Sequence, residues 1–341
     1  MPIIARSTAD KQQDWRQILA QSLKTAHDIR RYLELPSPSD EDQRNEQIAS
    51  RQFPVRVPRP FLDLAEPGNP DDPITRQVLP DADETTVHPL FSSDPLAEAD
   101  ANVQPGVIHK YQGRALLLPA TGCAVNCRYC FRRHFDYADN RISRAQWQQS
   151  LEYVRSDNSL SEIILSGGDP LMLQDDALHQ LICDIEAIPH IRRLRIHSRL
   201  PVVIPQRLTA QLLQRLSNTR LNTTLVFHIN HANEIGCELQ QQLSIWKQSG
   251  ITLLNQSVLL KGINDDAQIL QQLSESLFES GVLPYYLHVL DRVQGAAHFD
   301  LPDEAARKIF RQLHSKLPGY LVPRLTREEA AKSGKTLIHM L

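Results

Sequence analysis

The chain reads as an α/β protein: an incomplete TIM-type barrel, (β/α)6, with a helical extension before it and a short segment after it. Three observations predict this. Beyond residue 110, short apolar runs alternate six times with stretches of helical period. Polar residues with chemical potential gather at the C-terminal ends of those runs, and the first hundred residues follow neither pattern. Buried parallel strands are continuous apolar runs covered by helices, and barrels build their active sites at strand C-termini. A chain of 341 residues can bury a core of that size.

Residues 1–53 form the helical region. Trp15, Ile18, Leu19, Leu23, Ala26 and Ile29 are spaced for one amphipathic helix over 13–35, stopped by Pro36 and Pro38, and a shorter helix follows around 40–52. Residues 54–109 form a wrapping segment, within which Pro54 to Pro95 is rich in prolines and acids, including Gly68-Asn69-Pro70-Asp71-Asp72-Pro73, and predicts extended or looped chain. So long a loop is expected to wrap the core. The core, 110–300, places strands over Ala115–Pro119, Glu162–Leu165, Leu194–His197, Leu225–Ile229, Leu253–Leu259 and Pro284–Leu290. Residues 301–341 supply a last helix, marked by Ala306, Ile309, Phe310, Leu313 and Leu317, and a terminal segment.

Polar residues mark each strand end. Cys123 follows the first strand and Asp169 the second, in Ser166-Gly167-Gly168-Asp169-Pro170. His197 and Arg199 end the third, His228 and His231 the fourth; Gln256 lies on the fifth and Asp291 ends the sixth. Cys123, Cys127 and Cys130 are spaced Cys-x3-Cys-x2-Cys. Three thiolates can hold a four-iron, four-sulfur cluster and leave one iron open to bind a small molecule and pass it an electron. The spacing is neither a ferredoxin run nor the paired motif of a zinc ribbon, although His134 could complete a structural zinc site. Cys183 and Cys237 stand alone and receive no role.

Net charge is -3 with the signs mixed, so no basic block points to nucleic acid or a membrane surface. Five cysteines, three of them adjacent, are not a secreted disulfide framework. Neither a signal-like N-terminus nor a run of eighteen apolar residues occurs, and a reducing cytoplasmic location suits an oxygen-sensitive cluster.

The cysteine spacing resembles the signature of radical S-adenosylmethionine (SAM) enzymes. Arg114 to Arg133, the Ser-Gly-Gly-Asp-Pro run, Pro201 to Pro205, His228 to Glu234, Leu254 to Val258 and Pro284 to Tyr286 together resemble the lysine 2,3-aminomutase family across roughly residues 54–341. Cys127 to Phe135 and His288 to Phe299 look most like the branch that supplies (R)-β-lysine for modifying bacterial elongation factor P. The resemblance implies radical migration of the 2-amino group of L-lysine, with a [4Fe-4S] cluster, SAM and pyridoxal phosphate (PLP). It makes Lys335 the PLP Schiff-base lysine, although the family's glycine run before it is reduced to Gly334; Lys332 is a nearby rival.

By the same resemblance Arg132 takes the substrate carboxylate, while Asp291 and Glu328 take its distant ammonium. Glu328 replaces an aspartate, so weak turnover or a relaxed demand for that ammonium is expected. Gly167, Gly168, Asp169, His228 and Gln256 fall to SAM, and Tyr111 and Arg114 to the PLP ring and phosphate. Asp265-Asp266 stands where some relatives place a zinc cysteine, and the sequence ends His339-Met340-Leu341 without their terminal cysteines, so no zinc is expected. A flavodoxin- or ferredoxin-like reductant, a functional link to an elongation factor P lysyl ligase and a possible homo-oligomer complete the expected partners. Two other readings stay open: a general lysine 2,3-aminomutase of catabolism or osmolyte synthesis, and an iron-sulfur electron carrier or structural module without catalysis.

Overall fold

One sheet organises the chain. The computed structural model describes residues 14–135, 144–330, 332 and 334–339. Its ten strands are β1 (Asn102–Gln104), β2 (Val107–Tyr111), β3 (Arg114–Ala120), β4 (Glu162–Gly167), β5 (Arg193–Ser198), β6 (Asn222–His228), β7 (Thr252–Leu259), β8 (Leu283–Val289), β9 (Arg324–Arg327) and β10 (Thr336–Leu337). They lie side by side in chain order. From β3 to β9 every pairing is parallel, and the two ends are antiparallel. Each parallel step therefore moves to the adjacent strand through a crossover, the winding that closes a sheet toward a barrel.

The six expected strands are all present, and the fold is a partial barrel. The outer layer follows from the helical periods. The helix Asp175–Glu186 buries Leu178, Leu181, Ile182 and Ile185, and Cys237–Trp246 buries Leu239, Leu243 and Trp246. Truncating one such leucine to alanine costs about 2–5 kcal/mol in a core of this kind.

The inner layer follows from period two. On β5, Leu194 and Ile196 are buried toward the helices, whereas Arg195 and His197 alternate with them and line the interior. Leu254, Gln256 and Val258 do the same on β7. The interior is thus a hollow lined by both polar and apolar side chains and not a filled core.

Three expectations need correction. The single helix over 13–35 is two helices, Trp15–Ala20 and Ala26–Tyr32. Leu23 between them pairs with Val57, and Thr25 starts the second helix by accepting from the Asp28 N–H. The barrel also gains a seventh parallel strand, β9. Leu325 and Thr326 are buried in pairing with β8, and Glu328 follows directly on the strand's last residue, Arg327. Third, the stretch from 54 to 95 is not all loop: it carries short helices at Arg59–Leu62 and Pro73–Val78 and a 3-10 turn at Ala82–Thr85. Asp72 and Asp81 cap the last two.

Candidate active site

A cavity of about 1010 Å³ occupies the barrel mouth and interior. Every candidate site residue named from the sequence lines it: the three cysteines, Arg132, Gly167, Gly168, Asp169, His228, Gln256, Asp291, Tyr111, Arg114, Glu328 and Lys335. Lys332 is exposed, and His197 and Arg199 line the wall as well.

The cysteine loop leaves β3 and is clamped from two sides. The segment before β1 grips it: Arg56 Nη1 donates to the Cys123 carbonyl at 3.0 Å, and the Arg128 N–H donates to the Gln77 carbonyl at 2.9 Å. Arg128 and Arg133 converge on Glu84 at 2.5 and 2.7 Å with all three side chains fully buried. From the barrel side, Gly168 and Asp169 donate backbone hydrogen bonds to Ala120 and Gly122. A Cβ on Gly168 would stand 2.5 Å from the Gly122 oxygen, so this glycine is required by the approach of the cysteine loop itself. Gly167 adopts φ 109°, a conformation that side chains disfavour.

Asp169 is more engaged than its motif suggests. Its oxygens accept from Leu171 N, Ser198 Oγ, Arg199 N and Leu200 N at 2.7–3.0 Å. It ties together the loops after β4 and β5. His228 stacks on Tyr129, and its Nε2 lies 2.9 Å from the tyrosine hydroxyl; burial, then the Arg199 charge, pushes its pKa down to about 3.

The three thiols sit in one another's field. Burial raises Cys123 well above the ordinary thiol range, with Cys130, Asp169 and Cys127 adding to it, and burial followed by Cys127 pushes Cys130 up to about 11. Such crowding is relieved by a cationic metal core. Among the described residues no three such side chains converge on one metal ion, and a cubane instead takes one thiolate per iron. Arg199 Nη1 donates to Cys127 Sγ at 2.9 Å, and Arg199 also bonds Glu234 and Gln77. The donor set fits an iron-sulfur cluster. His134, the possible zinc ligand, points its Nε2 at the Gln294 carbonyl, 3.1 Å away.

The opposite wall suits an anionic aromatic cofactor. The Arg114 guanidinium lies 4.4 Å over the Tyr111 ring, and Arg195 and Arg324 also line the cavity. The Tyr111 hydroxyl approaches Glu328 without a well-oriented hydrogen bond, and His197 Nε2 is buried without a partner. β10 doubles back on β9, with Thr336 opposite Arg327. This hairpin sets Lys335 against Glu328 at 2.8 Å and 5.5 Å over the Tyr286 ring.

The two candidate ammonium-binding carboxylates differ sharply. Burial would raise Glu328, but Lys335 and Lys110 bring it down to about 2. Burial, reinforced by the Glu328 charge, pushes Asp291 up to about 7. Glu98, Lys110, Arg195 and His288 also line the cavity and were missed. Arg195 and His288 could have been found from period-two alternation along their strands; Glu98 gave no local signal.

A partial barrel with a cysteine loop at its mouth defines the class of radical SAM enzymes, and residues 117–273 match the family model described as "Radical SAM superfamily". A protein of Escherichia coli (strain K12) described as "L-lysine 2,3-aminomutase" is 50% identical over 336 residues, covering 98% of this chain and 97% of its own. One of Haemophilus influenzae with the same description is 49% identical over 328 residues, covering 96% of both chains. One of Clostridium subterminale is 32% identical over 327 residues, covering 95% of this chain and 77% of its own. The chain belongs to the L-lysine 2,3-aminomutase family. It is an enzyme, a radical SAM isomerase, which removes the reading as an electron carrier or structural module. Among the described residues no helix is long and apolar enough to cross a membrane.

Proposed function

We propose that this enzyme converts L-α-lysine into (R)-β-lysine, using a [4Fe-4S] cluster on Cys123, Cys127 and Cys130, SAM, and PLP on Lys335. The observation that carries the reading is the two-ended cavity. Arg132 stands beside the cysteine loop, and Glu328 and Asp291 stand beside Lys335, which suits a substrate with a carboxylate at one end and an ammonium at the other. Cluster and SAM together would supply the radical, and PLP a π system to carry the migrating amine.

The chain's own residues do the rest. The Glu84 clamp fixes the cysteine loop, and the Gly167-Gly168 turn lets it approach β4. Arg114, Arg195 and Arg324 offer cations to a phosphate. Gln256 lines the wall midway along β7 and His228 at the end of β6, and His228 stays neutral, able to hydrogen-bond without adding charge.

The motifs from Cys127 to Phe135 and from His288 to Phe299 support the elongation factor P branch, with a lysyl ligase downstream, a flavodoxin-like reductant and a cytoplasmic site of action. The test is anaerobic reconstitution with iron, sulfide and PLP, then chiral analysis of the products from L-lysine with SAM and reduced flavodoxin. (R)-β-lysine supports the proposal, the S product moves the enzyme to the catabolic branch, and absence of any β-lysine refutes it. Lys335→Ala should lose the protein-bound PLP absorbance; retention of that band would refute the Lys335 assignment.

A further inference from the structure

Glu98 has no assigned part in the chemistry, yet it occupies the guanidinium proposed for the substrate carboxylate. Nε and Nη2 of Arg132 donate to its two oxygens at 2.6 and 2.8 Å, a side-on fork with both partners buried. Arg132 Nη1 donates to Ser166 Oγ and the Gly167 carbonyl, each at 3.2 Å. Lys110 Nζ lies 3.6 Å from Glu98 and 3.3 Å from Glu328, which in turn pairs with Lys335. Charges of alternating sign therefore cross the cavity from Arg132 to Lys335. Glu98 is the first carboxylate in that row, directly on Arg132, and the Lys335 ammonium stands at the far end.

We infer that Glu98 is a specificity-determining gate: it holds the Arg132 fork until a substrate carboxylate displaces it toward Lys110. This rests on the proposed role of Arg132. A second carboxylate cannot join the same buried guanidinium beside Glu98 without strong like-charge repulsion, so one must yield. Lys110 is already within ion-pair reach of Glu98, and its Nζ also donates to the Leu96 carbonyl at 3.2 Å, on the segment that carries the glutamate. Ala97 stands at φ 48°, the left-handed region that non-glycine residues avoid, and turns the chain at the residue before Glu98. Ligands without a carboxylate leave the gate shut, which adds discrimination by exclusion to discrimination by contact.

The test uses the full chain reconstituted with cluster and PLP, titrated anaerobically without SAM so that no turnover occurs. Half-saturation of the PLP absorbance change is read for L-lysine and for L-lysinamide, which lacks the carboxylate. Glu98→Gln should tighten L-lysine several-fold and leave L-lysinamide unchanged. Glu98→Asp, too short to span the fork, should tighten L-lysine to a smaller degree and serves if the glutamine variant misfolds. Weaker or unchanged binding of L-lysine by a folded variant means that Glu98 only orients Arg132, and overturns the gate. Arg132→Met separates the two claims. If it weakens L-lysine alone, the carboxylate role stands whatever the gate does; if it binds both ligands like the parent, that role fails and the gate with it.

Discussion

Glu84→Ala removes the carboxylate shared by Arg128 and Arg133, which lie on either side of Cys130 in the sequence. Arg128 donates to both Glu84 oxygens, at 2.8 and 2.5 Å, and Arg133 donates to one at 2.7 Å; the side chains have 0% exposure. Breaking a buried pair strands an uncompensated charge and costs about 3–5 kcal/mol. Unfolding entropy of about 2.1 cal/mol/K per residue gives roughly 0.7 kcal/mol/K for this chain, so the midpoint should fall by about 4–7 °C.

The sign with pH follows. Burial raises Glu84, but Arg128 and Arg133 outweigh it and hold its carboxyl below the ordinary value of 4.5. Its contribution is therefore present above that value and is lost as pH falls through the lowered pKa. The assay is calorimetry at pH 7 together with iron content per chain after reconstitution. A midpoint within about 1 °C of the parent and full iron loading would refute the clamp.

Gly168→Ala should push the cysteine loop away, since its Cβ would lie within 2.9 Å of three Gly122 backbone atoms. Overpacking of this kind costs about 1–3 kcal/mol, and iron content should fall with the melting temperature; normal iron loading would contradict it. In its proposed role Asp291, pushed up to about 7 by burial and then by Glu328, must lose its proton to pair with an ammonium. L-lysine affinity should therefore rise as pH climbs through 7, by up to about tenfold per unit below it, and Asp291→Asn should flatten that dependence in binding measured from pH 6 to 8.

Much of the candidate site's lining was legible because its residues sit at predictable places on short elements. The apolar runs gave all six expected strands, and strand ends gave Asp169, His228 and Asp291 without knowledge of any neighbour. What stayed hidden lies inside the barrel or in the preceding segment. β9 is four residues long and begins with an exposed arginine, too brief for a period to show. Glu84 and Glu98 read as ordinary acids in a charged stretch; nothing within several residues marks either for burial.

Sequence by itself determined the strand-helix alternation, the cysteine spacing and the glycine turn after β4, because each is written in a local period or a local steric need. Tertiary structure decided which charges face one another. Lys110 and Glu328 are 218 residues apart, and Arg132 and Glu98 are 34 apart, yet each pair meets across the same cavity. Burying a charge is tolerable only beside a partner, and partners so distant are brought together by the closing sheet and the β9–β10 hairpin, not by any pattern along the chain.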